Sequence, residues 1–340
     1  MSDVMQDIIR LLADKKSLTR EQATRAFQII MNGGATPAHM AAFLMGLRLK
    51  GETVDELTAG AIAMRAKAQK IKSPTGVIDS CGTGGDAKNT YNISTSVSFV
   101  LAACDIPVAK HGNRSVSSRS GSADVLSALG VKIDMPLSVV ERCLNEIGIA
   151  FLMAPLFHPA MRHVAPIRQE LGIRTIFNLL GPLSNPVAPP YQLIGVYAKE
   201  WLSPMAHALK ELGTQSAWIV HGSDGLDELS LVDSSYVAEL KDGQVREFQI
   251  TPEEAGLQRC SLQELKGGDA QYNADALLHS LSGADSAYKR AVVYNAAAGL
   301  LVAGVAADLK AGVALAMDAI DSGRAHHKLM KLIELSHSHL

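Results

Sequence analysis

A change of rhythm at Ser73-Pro74-Thr75-Gly76 constrains this chain more than any other feature. Before it, apolar residues recur at helical spacing only. After it, short apolar runs alternate with helical stretches. That alternation predicts a mainly parallel sheet covered on both faces. The chain divides accordingly into a small all-helical domain over 1–72 and a larger α/β domain over 73–340. A length of 340 residues accommodates two such units.

Within the helical part, Thr19 with Gln22 and Thr53 with Glu56 have capping-box spacing. Thr36 before Pro37 predicts an N-cap followed by proline at the first helical position. Asn32-Gly33-Gly34 ends the helix before it. Met40, Phe43, Leu44 and Leu47 form an apolar stripe that faces either a core or a second subunit. Beyond the break, strands are expected at Val77–Ile78, Ile106–Ala109, Ile149–Met153, Gln192–Tyr197 and Ala217–Val220. Helices are expected over Ser94–Ala103 and Gly121–Leu129, and Asp242-Gly243 marks a hairpin turn. Gly181–Pro190 is a second interruption. Helical text within about 163–188, His163–Leu171 included, fits either domain.

Hydrophobic residues at 47% against 19% charged residues exclude disorder. A net charge of -2 offers no bulk attraction to nucleic acid or an anionic membrane. The most apolar long stretch, Asn295–Ala307, falls short of the roughly 20 residues needed to span a bilayer and reads as a buried helix. Asp3, Asp7 and Arg10 interrupt the apolar N-terminus, so no signal peptide is expected. Cys81, Cys104, Cys143 and Cys260 lie far apart without CxxC spacing. They fit reduced thiols of a cytoplasmic protein rather than a zinc site. His326, His327, His337 and His339 fit a solvated helix end better than a metal site.

Three strand-end segments carry chemistry. Cys81-Gly82-Thr83-Gly84-Gly85-Asp86 lets backbone N–H groups approach an anion closely. Gly82, Gly84 and Ala87 fit GxGxxA, but the next strand ends in Lys110 and His111 instead of the acid a dinucleotide requires. No GK[ST] completes a Walker loop. Asp86 beside an anion site points to a metal. Asn92-Ile93-Ser94-Thr95 can cap the helix or bind phosphate and metal oxygens. The second segment, Lys110-His111-Gly112-Asn113-Arg114-Ser115-Val116-Ser117-Ser118, offers two cations, an amide and three hydroxyls, read as a loop beyond the second strand. Ser120 to Asp124, Ser122 included, opens the following helix. The third segment holds adjacent Asp227 and Glu228, a pair suited to magnesium. His158-Pro159-Ala160-Met161 is expected to start a helix carrying Arg162, His163 and Arg168, where a forked guanidinium suits a carboxylate-bearing acceptor.

These motifs in this order resemble the anthranilate phosphoribosyltransferase family. The matching text includes Cys-Gly-Thr-Gly-Gly-Asp at 81–86, Asn-Ile-Ser-Thr at 92–95 and Lys-His-Gly-Asn-Arg-Ser at 110–115. Gly-Ser-Ala-Asp-Val-Leu at 121–126, His-Pro-Ala-Met at 158–161, Arg168 to Gly172, Arg174 to Asn178, Gly181-Pro182-Leu183 and Asp224 to Glu228 complete it. Arg162 stands where the family pattern has lysine, which keeps the charge. The resemblance implies transfer of the phosphoribosyl group of PRPP to anthranilate, in tryptophan biosynthesis. It implies a nucleoside phosphorylase/phosphoribosyltransferase fold, paired as a homodimer through the helical domain. By position, Gly82, Gly85, Asp86, Thr90, Asn92, Ile93, Ser94 and Thr95 bind PRPP, together with Lys110 to Ser118 and Ser122. Ser94, Asp227 and Glu228 hold magnesium, two ions per subunit. Gly82, Asn113 and Arg168 contact anthranilate, and Lys110, Asp227 and Glu228 are the expected catalytic residues. Two other readings compete: a pyrimidine nucleoside phosphorylase and a nucleic-acid-binding relative. Asp227-Glu228 speaks against both.

Overall fold

Capping residues set the first helices where the sequence places them. Helices α1 (Ser2–Ala13), α2 (Arg20–Met31), α3 (Pro37–Lys50) and α4 (Val54–Lys67) follow one another in the computed structural model, which describes residues 2–114 and 119–338. Thr19 and Thr53 accept from the backbone N–H three residues on, and Gln22 and Glu56 return the bond. Thr36 accepts from His39 N–H ahead of Pro37. Met40, Phe43, Leu44 and Leu47 are buried in the chain's own core, so the stripe faces inward.

Strands β1 (Ile78–Gly82), β2 (Val108–Gly112), β3 (Ile149–Met153), β4 (Tyr191–Gly195) and β5 (Ser216–Gly222) run parallel in the order β3-β2-β1-β4-β5. Strands β6 (Ser235–Lys241) and β7 (Gln244–Ile250) continue the sheet antiparallel. The two-residue turn Asp242-Gly243 joins them with φ of 49° and 70°, the positive values a primed hairpin needs. The sheet's two margins differ. Strand β3 is buried along most of its length, whereas β7 exposes Gln244, Arg246, Glu247 and Gln249.

Side chains alternate between two cores with the period of a strand. Ile78, Leu193, Trp218, Val220 and Val237 face one core. That core is closed by α5 (Ile93–Ala103), α6 (Ser122–Ala128), α7 (Leu137–Glu146), α12 (Ala270–Leu281), α13 (Ala287–Val302), α14 (Leu309–Asp321) and α15 (Arg324–Ser336). Cys81, Ile194, Ala217, Ile219, Ala238 and Leu240 face the other. There they meet α11 (Leu202–Glu211), α1 to α4, α9 (Ala165–Leu171) and α10 (Ile176–Leu183). The short α8 (Ala154–Phe157) leads from β3 toward α9. Val164, Ile167, Ile176, Phe177, Leu179, Leu180 and Leu183 thus pack with the N-terminal helices. Helix α13 covers most of the Ala- and Gly-rich stretch and is almost wholly buried. No helix among the described residues is long and apolar enough to cross a membrane.

Three expectations need correction. Strand β1 runs on through Asp79, Ser80 and Cys81. Strand β2 includes Lys110, His111 and Gly112, which the sequence places in a loop. Polarity hid both extensions, because the buried polar groups satisfy one another. Asp79 accepts from His111 N–H and from Asn185 Nδ2, and Lys110 Nζ donates to Ser80 O. The helix expected from His158 is in fact a 3-10 turn, Pro159–His163, separated from α9 by Val164. Arg162 and Arg168 therefore lie on different segments. His326 and His327 lie on α15, His337 caps it, and His339 lies outside the described residues.

Candidate active site

From neighbouring strands β1 and β4 the chain builds outward in opposite directions. In a parallel sheet such a reversal opens a crevice beyond the carboxyl ends of the strands. Gly82 and Gly195 end those two strands side by side. The Asp227 backbone crosses directly over them. A Cβ on Gly195 would lie 1.5 Å from Asp227 O, and one on Gly82 would lie 2.9 Å from Asp227 Oδ2. Glycine is therefore required here by close approach.

The glycine-rich loop leaves β1 and is tied at several points. Thr83 N–H donates to Gly195 O (2.9 Å), and Thr83 Oγ1 accepts from Tyr197 N–H (3.0 Å). Gly84 N–H donates to Asp227 Oδ2 (2.9 Å). Arg174, exposed over the Tyr197 ring, donates to Gly85 O. Asp86 Oδ1 accepts from Lys88 N–H (3.1 Å). Gly84, Gly85, Ala87 and Asn89 all take positive φ, and at Ala87 and Asn89 that conformation is strained. Thr90 bridges to Lys266, and α5 starts only at Ile93.

The N-terminus of α5 has no side-chain cap from Asn92. Asn92 Nδ2 instead donates to Ser120 O (3.2 Å). Ser94 N–H donates to Glu228 Oε1 (3.1 Å). Ile93 and Thr95 are buried beside it and can offer the cleft little beyond their backbone. Below lies Lys110, 3% exposed, with Nζ 2.6 Å from Ser80 O and 3.4 Å from Ser94 Oγ. Lys110 thus underlies the helix start instead of belonging to the second loop. Burial pushes its pKa down, opposed by Asp79 and Glu228.

Burial raises the pKa of both Asp227 and Glu228. Asp86 adds to the rise at Asp227; Asp227 adds to that at Glu228, where Lys110 opposes it. Half-buried carboxylates held this close invite a cation between them. Among the described residues no three His, Cys, Asp or Glu side chains gather as a protein-only metal cage. Two carboxylates beside a hydroxyl instead suit a hard ion that takes its remaining ligands from phosphate.

Strand β2 turns His111 the other way. Its Nδ1 lies 3.2 Å from Gly181 O and its ring 5.0 Å from that of His158. Burial lowers its pKa to about 3, so it is neutral at pH 7. A Cβ on Gly112 would lie 2.4 Å from Ser122 Oγ. Asn113 O accepts from Ala123 N–H and Ser122 Oγ, and Arg114 pairs with Asp124 at 2.9 Å. Ser115, Val116, Ser117 and Ser118 lie outside the described residues.

The structure therefore brings together Gly82, Gly84, Ser94, Lys110, Asp227 and Glu228, and Asn92 reaches Ser120. Arg168 stands apart on the helical layer, half-buried, its guanidinium 5.7 Å from the Phe177 ring centroid. Sequence reasoning missed Asp79, Asn185 and the part played by Arg174. Asp79 is fully buried, and burial raises its pKa to about 6 against the pull of Lys110. No spacing in the sequence announces it.

Residues 74–326 match the model of the glycosyl transferase family a/b domain, and residues 6–68 match its helical bundle domain. Anthranilate phosphoribosyltransferase from Rhodopseudomonas palustris is 54% identical over 97% of this chain and 98% of its own. The enzyme of that name from Methylocella silvestris is 53% identical over 98% and 96%. A crystal structure of the Thermus thermophilus enzyme superposes with a TM-score of 0.92 at 42% identity, covering 98% of this chain and all (100%) of that one. The Saccharomyces cerevisiae enzyme, in complex with PRPP and Mg, gives a TM-score of 0.89 at 27% identity over 99% and 98%.

Proposed function

Because the chain belongs to the anthranilate phosphoribosyltransferase family, we propose that the cleft beyond β1, β2 and β4 is where it binds PRPP and carries out that family's reaction. The chain is an enzyme that transfers the phosphoribosyl group of PRPP to the amino group of anthranilate, releasing diphosphate, in tryptophan biosynthesis. Magnesium is its metal.

In the proposed site, Gly82, Gly85, Asp86, Thr90 and Asn92 to Thr95 surround PRPP from the β1 side. Lys110 to Ser118 and Ser122 are the PRPP-binding residues of β2 and the chain that follows it, with Lys110 beneath Ser94. Ser94, Asp227 and Glu228 hold magnesium, two ions per subunit, which neutralises charge gathering on the departing diphosphate. The observation that carries this reading is the inward-turned Asp227-Glu228 pair, tied to Gly84 N–H and Ser94 N–H at the strand ends.

The chain's own contribution is positioning and field. Gly84 N–H and Ser94 N–H point into the cleft, where Asp227 and Glu228 accept from them; phosphate oxygens take over those places as the carboxylates turn to the metal. Lys110 lends a buried positive charge under Ser94. Gly82, Asn113 and Arg168 position anthranilate, Arg168 through its carboxylate. The acceptor is a neutral aromatic amine at pH 7, so alignment contributes more than proton abstraction, and no general base is assigned.

The helices within 163–188 are read as part of the helical domain, supported by their shared core. Pairing of two copies through that domain is supported by Leu49 (74% exposed) and Ile62 (42%) on α3 and α4. A cytoplasmic setting is supported by four cysteines that form no disulfide. Product analysis with PRPP, anthranilate and magnesium, with and without chelator, tests the site. Formation of phosphoribosylanthranilate that stops on chelation is expected. Unchanged turnover under chelation would refute the metal assignment.

A further inference from the structure

Resting on that reading, we propose that Asn273, far from the motifs in sequence, is a positioning residue that orients Asn92 as a tie between the two PRPP loops. A side-chain amide has a donor end and an acceptor end. Gly268 N–H donates to Asn273 Oδ1 at 2.8 Å, which turns Asn273 Nδ2 toward Asn92 Oδ1, also at 2.8 Å. Asn92 Nδ2 then faces Ser120 O at 3.2 Å, at the far end of the second loop. A backbone donor starts this relay and a backbone acceptor ends it. Neither amide can flip without setting like groups against each other, and Asn273 is only 2% exposed.

The backbone of the first loop is held by other means. Tyr91 N–H donates to Leu265 O (3.1 Å), Gly267 N–H to Asn89 O (2.9 Å), and Lys266 Nζ to Lys88 O (2.8 Å). Tyr288 donates to Asn92 O (3.2 Å). A Cβ on Gly267 would lie 2.6 Å from Thr90 O and 2.8 Å from Asn273 Oδ1, so the two segments touch along their backbones. Cutting the Asn273 side chain leaves those ties in place. It releases the Asn92 amide, and with it the bond to Ser120 O.

The test is steady-state kinetics of the full chain carrying Asn273→Asp, Asn273→Ala or Asn273→Ser, with PRPP, anthranilate and magnesium. Asp sets an acceptor against Asn92 Oδ1 and should be the most affected. Its KM for PRPP is expected to rise about tenfold, while kcat and KM for anthranilate stay within about twofold. Asn92→Ala should raise the same KM, and adding Asn273→Ala to it should change little, because the two act in one relay. An unchanged KM for PRPP in Asn273→Asp overturns the proposal. So do independent, multiplying effects in the double variant, or loss of cooperative melting in both the Ala and Ser variants. Failure of the wild-type chain to turn over PRPP would instead strike the functional reading itself.

Discussion

In the proposed site, the α/β side and the helical side meet their ligands differently. The α/β wall is mostly backbone: glycine loop N–H groups and a helix start that Asn92 does not cap, with Asp227 folded over Gly82 and Gly195 and Glu228 at Ser94 N–H. The helical wall offers long cations laid on rings, Arg168 over Phe177 and Arg174 over Tyr197. A polyanion chelated to metal needs donors fixed in number and direction, and backbone provides that rigidity. A small aromatic acid needs one forked charge and a flat surface, and a side chain provides both. The difference teaches that charge alone does not assign a substrate to a wall; what holds the charge in place does.

The largest effect expected of this division is on turnover. Asp227→Ala with Glu228→Ala should lower kcat by about a thousandfold or more, with the melting transition retained. Wild-type magnesium-dependent turnover in that variant would remove the α/β wall from the chemistry. Next, Arg168→Ala should raise KM for anthranilate roughly ten- to a hundredfold, as loss of about 1.5–3 kcal/mol in a charged hydrogen bond implies, and leave KM for PRPP nearly unchanged. An equal rise in both constants would erase the distinction between the walls.

A smaller effect concerns pH. Burial, with repulsion from Asp86, raises the pKa of Asp227 to about 7; burial, with repulsion from Asp227, raises that of Glu228 to about 8. The native state therefore holds these protons where the unfolded chain, near pKa 4, has lost them. Without metal, stability should decline as pH rises from about 4 to about 8, by on the order of 1 kcal/mol after solvent screening. Melting of Asp227→Asn with Glu228→Gln should show a flatter profile; an identical slope would clear the pair of responsibility. The smallest effect is expected at Arg174→Ala. Loss of an exposed ring contact of about 0.5–1 kcal/mol and one bond to Gly85 should raise KM for PRPP about fivefold. If KM for anthranilate moved instead, Arg174 would act with Arg168 on the acid and not through Gly85 on the glycine loop.

Much of this was legible in the sequence. Thr19, Thr36 and Thr53 announced their helices because capping is local chemistry. The Asp242-Gly243 hairpin was legible because its turn needs residues that tolerate positive φ. Asp79-Ser80-Cys81 and Lys110-His111 were hidden as strands because Asp79, Ser80 and Lys110 find their partners in Asn185, Ser98 and the Ser80 carbonyl. Such partners lie 18 to 106 residues away in sequence, or 30 in the case of Lys110 and Ser80. The Asp227-Glu228 pair was visible as a motif, but its closeness to Gly84 and Ser94 depends on pairing between β1 and β4, which no local pattern encodes. Asn273 had no signal at all, since its role exists only through Gly268 and Asn92.

The unlike margins of the sheet bear on how the chain behaves in company. Strand β3 packs against α7 and α15, with its side chains buried along most of its length. Among the described residues no strand pairs with the outer ladder of β7, and a stranger's strand could zip onto it. Arg246 and Glu247 would then have to give up water in the join, a penalty that keeps crowded molecules from adhering to one another.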